Sequence, residues 1–169
     1  MASRPLTDPE TALARQVFHD RLPYRKIHIT SYFLPGNEGV PVTMASVGSL
    51  VASRARRRYF IYFGPHVFGG GADARPTRNT FIHELTHVWQ GHYRRFAWEF
   101  MVESMLSQGR SLLTTGGRGG AYEYTPGRPW RSYNVEQQAH IVQDWFAGGM
   151  SEHDVLFPYI ENHIRKGRN

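Results

Sequence analysis

The sequence predicts one α+β domain over residues 1–169, in which a small mixed sheet packs against a central helix. The length and the composition, with 40% hydrophobic and 20% charged residues, suit a single globular domain with a core of its own. Two segments with strand signals and several with helix signals carry this prediction. No internal repeat is visible, which argues against a repeat architecture.

Strand and turn signals are concentrated in the first half of the chain. Residues 25–32 alternate apolar and polar side chains, which is typical of a strand with one buried face. Residues 58–63 are rich in β-branched and aromatic side chains and predict a second strand, which ends at Gly64. A turn is expected at 35–39, and residues 40–52 remain open between a short strand and a loop.

Helices are predicted from capping signals and apolar faces. Thr7 and Glu10 form a capping box, so a first helix should run to about Asp20. Asn134 is a suitable N-cap for a helix that extends to residue 146. The other expected elements are helices at 77–90 and 95–108, a last helix that opens at 151–154 and bends near Pro158, and glycine-rich loops at 69–71 and 116–120.

The most informative stretch is an HExxH motif at residues 83–87. Residues four apart on a helix share a face, so His83 and His87 can both direct an imidazole nitrogen at one metal ion. Glu84 lies about 100° around the helix from His83, which places its carboxylate beside the metal rather than on it. A carboxylate there can serve as the general base of a zinc hydrolase. The apolar residues on either side, Phe-Ile and Val-Trp, fit a metal-binding helix inside a core.

Two histidines do not complete a catalytic zinc site, which usually has three protein ligands. Gln90 and Tyr93 stand where the extended pattern HExxHxxGxxH needs Gly and His. His92 lies about 140° from His87 on a helix and would reach the metal only if the helix broke. The other option is a carboxylate on a second helix, for which Glu136 is the best candidate. It falls in a first turn, where a glutamate is common without any metal. The HExxH motif upstream and the Gln, Ala and His around Glu136 favour its role as a ligand.

Two segments resemble a family of bacterial zincin-type proteins, which occur alone or as metallopeptidase domains of VgrG-type spike and Rhs-type secretion-system proteins. The segments are Phe-Ile-His-Glu-Leu-Thr-His-Val-Trp-Gln at 81–90 and Tyr-Asn-Val-Glu-Gln-Gln-Ala-His-Ile-Val-Gln-Asp-Trp-Phe at 133–146. Residues 4–18 and 59–63 are more weakly similar to such proteins. The resemblance implies a zincin-like, gluzincin-type fold.

The resemblance also implies one Zn²⁺ ion, held by His83, His87 and Glu136, with Glu84 as the general base. In better-known peptidases with a glutamate ligand, an aspartate that supports a histidine ligand often follows four residues later. His140 stands at that position in this chain. Whether Asp144 or Gln143 takes the supporting role, or His140 competes as a ligand, stays open.

The implied activity is zinc-dependent hydrolysis of peptide bonds in a peptide or protein substrate. Tyr124 and Tyr133 are candidates for stabilising the oxyanion, because both lie near Glu136 in sequence. The resemblance further implies an antibacterial effector that is made in the cytoplasm and carried by a secretion system into the periplasm of a target cell. Its expected partners are an immunity protein and a secretion spike. Two alternatives stay open: a non-catalytic zinc module that docks on secretion machinery, and a hydrolase of cell-wall peptides or amides.

Composition narrows the remaining function classes. The chain has no cysteine, which excludes disulfides, thiol nucleophiles and thiolate zinc sites. The net charge of +6 favours an anionic partner, but without a recognisable nucleic-acid module we expect no nucleic acid. We expect no Sec-type signal and no membrane span, because the N-terminus lacks an apolar run and no stretch approaches 18 apolar residues.

Overall fold

The structure is a computed structural model, and it describes residues 3–33, 41–46, 53, 56–65, 77–94 and 123–168. Within these residues the chain forms four strands and four helices. The strands are β1 (Ser3–Pro5), β2 (Ile27–Thr30), β3 (Val42–Ala45) and β4 (Tyr59–Tyr62). The helices are α1 (Asp8–Phe18), α2 (Thr77–Tyr93), α3 (Val135–Ala147) and α4 (Phe157–Tyr159), which continues into a π-helical turn at Ile160–Ile164.

The four strands form one mixed sheet in the order β1-β2-β4-β3. The central pair, β2 and β4, is parallel, while β1 and β3 pair antiparallel at the two edges. Alternate residues of the central strands are buried, as the two-residue period of a strand requires. These residues are Ile27, Ile29, Tyr59 and Ile61. The predicted α+β class with a small mixed sheet is thus confirmed, the open segment at 40–52 contains a strand, and β1 was not predicted.

The starts of α1 and α3 confirm two predicted helix caps. The side chain of Thr7 accepts from the backbone N–H of Glu10, and the side chain of Glu10 accepts from the backbone N–H of Thr7. Glu10 also pairs with Arg4 at 2.6 and 2.8 Å, which ties β1 to α1. Asn134 and Gln137 form the same reciprocal box at the start of α3, with bonds of 2.8 and 3.1 Å.

Helix α2 carries the HExxH motif and lies between β3 and α3. It extends beyond the predicted end near Gln90, through Gly91, to Tyr93. The buried guanidinium of Arg57 caps this end, because it donates to the carbonyl oxygens of Gly91 at 2.7 Å and Arg94 at 2.8 Å. A cation that satisfies the last carbonyls of a helix also interacts favourably with the helix dipole, which explains the extra turn.

The C-terminal helix differs from the prediction. Helix α4 begins at Phe157 and has Pro158 in its first turn, whereas we expected a helix that opened at Ser151 and bent at Pro158. Proline is well tolerated in a first turn, because its missing N–H has no helical partner there. The expected helix at 95–108, the turn at 35–39 and the loops at 69–71 and 116–120 lie outside the described residues.

The sheet and the helices bury one hydrophobic cluster between them. Trp89 of α2 is fully buried in it, and its indole N–H donates to the carbonyl oxygen of Ile164 at 3.1 Å. The motif helix is therefore anchored both to the sheet and to the C-terminal segment. Among the described helices, none combines the length and the apolar character that a membrane span requires.

Candidate metal centre

Three side chains from two helices converge at one point. His83 and His87 lie one turn apart on α2, and Glu136 lies in the first turn of α3. The two histidine Nε2 atoms are 3.2 Å apart, and each is 3.4 Å from Glu136 Oε2. At most 8% of any of these residues is exposed. The structure therefore contains a buried His-His-Glu group that could bind a metal ion.

The spacing of these donor atoms fits zinc. Zinc binds imidazole nitrogen and carboxylate oxygen at about 2.0–2.2 Å in a tetrahedral arrangement, which places neighbouring donor atoms about 3.3–3.5 Å apart. The sides of the observed triangle, 3.2, 3.4 and 3.4 Å, agree with that separation. Two imidazoles and one carboxylate are also a ligand set of known catalytic zinc sites. The residues present thus fit the ion that the sequence predicts.

The charges within the group favour a cation at its centre. Burial lowers the pKa of His87, but the Glu136 carboxylate, with smaller contributions from Glu84 and Gln90, raises it to about 9 overall. Burial likewise raises the pKa of Glu136, yet the adjacent His87 and His83 hold that pKa well below its usual range. At neutral pH the metal-free group therefore holds an imidazolium beside a carboxylate, so a proton supplies the positive charge that a metal would supply.

The carboxylate of Glu84 lies beside this group and is held by the edge of the sheet. Thr43 on β3 donates from its hydroxyl to Glu84 Oε2 at 2.7 Å, and the same hydroxyl oxygen lies 3.1 Å from the Glu84 carbonyl oxygen. Because Thr43 has one hydroxyl proton, the shorter bond to the charged carboxylate is the stronger one. Glu84 is 5% exposed and is not one of the three converging ligand residues.

His140 and Asp144 occupy the next two turns of α3 after Glu136. The half-buried ring of His140 packs edge-on against His83, with the ring centroids 5.0 Å apart. Burial lowers the pKa of His140, and His83 lowers it further. Asp144 Oδ2 accepts a hydrogen bond from the Tyr124 hydroxyl at 2.7 Å. Within the described residues, His140 stands next to the His-His-Glu group without joining it.

Neither candidate tyrosine has a hydrogen bond to the His-His-Glu group in the described part of the chain. The Tyr133 hydroxyl donates to the Thr125 carbonyl oxygen at 2.7 Å and accepts from the Arg128 N–H at 3.1 Å. It also lies 3.2 Å from the Tyr159 hydroxyl, so Tyr133 packs under the segment that precedes α3. Oxyanion stabilisation by Tyr124 or Tyr133 stays a prediction.

His92 lies apart from the group because α2 continues past Gly91 without a break. Its ring packs against Tyr59 and Tyr93, with centroid distances of 6.2 and 5.3 Å. The prediction that His92 lies away from the two motif histidines required an unbroken helix at Gly91, and the helix is unbroken there.

Sequence analysis did not find Thr43, Gln90 or Gln138, although all three are buried at this site. Gln90 Oε1 lies 2.8 Å from His87 Nδ1, and Gln90 Nε2 donates to Gln138 Oε1 at 3.0 Å. The three-residue spacing of Gln90 from His87 on one helix was a usable signal, because such pairs are neighbours. For Thr43 and Gln138 no local pattern in the sequence points to the site.

The fold and the site together define an α+β domain with a candidate metal centre between two helices. No protein-family model matches the sequence. Over 148 residues the chain is 30% identical to the type VI secretion system spike protein VgrG2b of Pseudomonas aeruginosa; the match covers 86% of this chain and 13% of that protein.

A solved structure gives the more complete match. The chain is similar to the effector domain of Pseudomonas aeruginosa VgrG2b, with a TM-score of 0.65 and 29% identity, over 94% of this chain and 82% of that one. The chain is therefore homologous to the effector domain of a secretion spike protein, and it spans only a small part of the whole spike.

Proposed function

We propose that this chain is a zinc-dependent metallopeptidase of the gluzincin type, which hydrolyses peptide bonds in a peptide or protein substrate. The observation that carries the proposal is the buried triangle of His83, His87 and Glu136 with the Glu84 carboxylate fixed beside it. Structural zinc sites are usually closed by four protein ligands, whereas a set of three leaves a position for water. A purely structural site also has no need of a base.

Each residue of the site has a distinct role in this proposal. His83, His87 and Glu136 would hold the ion. When bound, zinc supplies Lewis acidity, which polarises a carbonyl group and lowers the pKa of water. Glu84 would accept the proton of the attacking water and pass it to the leaving amine. Thr43 would keep the Glu84 carboxylate in place while that proton moves, through the bond of 2.7 Å.

We further propose that the chain acts as an antibacterial effector of a secretion system. Its homology to the effector domain of a type VI secretion spike supports this role. A secretion spike would then be its carrier, and delivery to the periplasm of a target cell would separate it from an immunity protein in the producing cell.

Metal analysis of the purified protein tests the ligand assignment. We expect about one zinc ion per chain, and we expect His83→Ala, His87→Ala and Glu136→Ala each to abolish tight binding. His140→Ala is the matched control, because His140 lies in the next turn of α3 and contacts His83 without joining the ligands. Release of zinc by His140→Ala but not by Glu136→Ala would show that the assignment is wrong.

The substitution Glu84→Gln tests hydrolysis. It preserves size and an acceptor for Thr43 but removes the base, so zinc should stay bound while hydrolysis falls by roughly 100-fold or more. Glu152→Gln, at an exposed position in a turn, should change neither property. The assay compares zinc-loaded proteins on peptide libraries and on cell-wall peptides, and compares their toxicity after export to the periplasm. Equal activity of wild type and Glu84→Gln would refute the proposal. Hydrolysis of cell-wall peptides, with no hydrolysis of the peptide libraries, would show that the substrate is a cell-wall peptide rather than a protein.

A further inference from the structure

The second ring nitrogen of His87 is held by a buried chain of two amides. Gln90 Oε1 lies 2.8 Å from His87 Nδ1. Gln90 Nε2 faces two oxygen atoms, the Val135 carbonyl oxygen at 2.9 Å and Gln138 Oε1 at 3.0 Å. A flipped Gln90 amide would place its oxygen against those acceptors, and a backbone carbonyl cannot donate. The amide oxygen of Gln90 therefore faces His87.

The orientation of Gln138 is fixed in the same way. Its Nε2 donates to the carbonyl oxygens of Trp130 at 3.1 Å and Tyr133 at 3.3 Å. Two carbonyl acceptors require the NH₂ group there, so Gln138 Oε1 must face Gln90 Nε2. The backbone carbonyl groups of Trp130, Tyr133 and Val135 thus set the direction of both amides. The pair ends with an acceptor, Gln90 Oε1, which requires a proton on His87 Nδ1.

This arrangement keeps a proton on His87 Nδ1 and leaves Nε2 facing the other two members of the group. Nε2 lies 3.2 Å from His83 Nε2 and 3.4 Å from Glu136 Oε2. A bare Nδ1 would place its lone pair against Gln90 Oε1, which loses a buried hydrogen bond and adds repulsion. When a metal binds Nε2, the neutral ring therefore has its proton on Nδ1. By contrast, His83 Nδ1 is buried with no hydrogen-bond partner in the described part of the protein. The two histidines are therefore supported unequally.

The amide chain also joins the two helices that supply the ligands. Gln90 lies on α2 with His87, whereas its acceptor Val135 directly precedes Glu136 on α3. Both glutamines are almost completely buried, with 0% and 3% of their surface exposed. Hydrogen bonds in such a site are costly to break, because water cannot replace the lost partner.

We propose that Gln90 and Gln138 form an amide relay that positions the metal site: it fixes the Nδ1–H tautomer of His87 and the distance from His87 to Glu136. The tautomer and the ligation rest on the proposed zinc site, whereas the hydrogen bond from His87 Nδ1 to Gln90 is a property of the protein without metal. Supporting residues that orient a metal-ligating histidine typically change metal affinity by 10–100-fold.

The first test uses protein without metal and asks by ¹⁵N NMR whether His87 Nδ1 carries a proton that exchanges slowly with solvent. We expect a protonated Nδ1 whose proton is protected in wild type and exchanges faster in Gln90→Leu. A bare Nδ1, or equal exchange rates in the two proteins, would overturn the relay. This measurement needs no zinc, so it decides the inference even if the metallopeptidase proposal fails.

The second test measures the zinc dissociation constant by competition with a chromophoric chelator. Gln90→Leu removes the acceptor at similar size and should weaken zinc binding by 10–100-fold, with a smaller loss for Gln138→Leu. Gln16→Leu, at an exposed site on α1, is the control and should bind like wild type. Wild-type affinity in folded Gln90→Leu would overturn the relay and leave the zinc site standing, whereas no zinc binding by wild type would refute the proposed function.

Discussion

In the metal-free protein, the free energy of unfolding should fall as the pH rises from about 6.5 to about 9. In the metal-free site His87 Nε2 lies 3.4 Å from the Glu136 carboxylate, and the pKa of His87 is raised to about 9. The same imidazole in the unfolded chain has an ordinary pKa of about 6.5. Below about pH 6.5 both the folded and the unfolded protein bind the proton, and the ion pair of His87 with Glu136 contributes its full stabilisation. Between the two pKa values only the folded state binds it, so stability falls as the pH rises.

The magnitude follows from the separation of the two pKa values of His87. A separation of about 2.5 pH units, at about 1.4 kcal/mol for each, corresponds to about 3–4 kcal/mol. The depressed pKa of Glu136 describes the same ion pair, so its contribution is not added. It sets the acid limit instead: below the ordinary pKa of 4.5 the unfolded chain takes up a proton on Glu136 before the folded protein does, so stability falls as the pH falls towards the depressed pKa of the folded state.

The assay is urea unfolding at constant ionic strength, with a chelator present and tryptophan fluorescence as the signal. Glu136→Gln is the control, because it keeps the shape of the side chain and removes the charge that raises the pKa of His87. The free energy of unfolding of wild type should fall by about 3–4 kcal/mol across this window, and that of the variant should change much less. A wild-type profile that is flat, or that matches the variant, would refute the assignment of an imidazolium–carboxylate pair.

Two further predictions concern residues that support the site. Thr43→Val removes the hydroxyl that holds Glu84, so kcat/KM on a peptide substrate should fall by about 10–100-fold while the zinc content stays unchanged. Thr43→Ser keeps a hydroxyl and should retain most of the activity. An equal loss in both variants would contradict this role of Thr43. Arg57→Met removes the cap of α2 and should lower the free energy of unfolding by about 2–4 kcal/mol in urea titrations, whereas exposed Arg56→Met should change it by less than about 0.5 kcal/mol. Similar stability of the two methionine variants would show that the cap contributes little.

Sequence reasoning succeeded where a signal is local. The capping boxes at Thr7 and Asn134 depend on residues three apart, and they give the starts of α1 and α3 correctly. The HExxH spacing places two histidines on one helix face for the same reason. A candidate ligand on a second helix could be proposed as well, because the N-cap at Asn134 places Glu136 in a first turn that can face the motif helix.

The failures have physical causes that no local window contains. Helix α2 passes its expected end because Arg57, more than 30 positions earlier, satisfies its last carbonyl groups. Strand β3 is short and lies at an edge of the sheet, so its alternation of buried and partly exposed residues spans too few positions to distinguish it from a loop. Thr43 and Gln138 reach the site only through tertiary packing, and a hydroxyl or an amide in the sequence does not indicate its partner.

The separation of the ligands along the chain has a consequence for a protein without cysteine. His87 and Glu136 are joined by about 50 residues of chain, so an ion bound to both would act as a cross-link between two helices. By the chain-entropy estimate for a disulfide, closing a loop of that length removes about 4 kcal/mol of freedom from the unfolded state. A cross-link through imidazole and carboxylate contains no bond that can be reduced. Such a link could form in a reducing compartment and persist in an oxidising one. A disulfide, by contrast, would form only in the oxidising compartment.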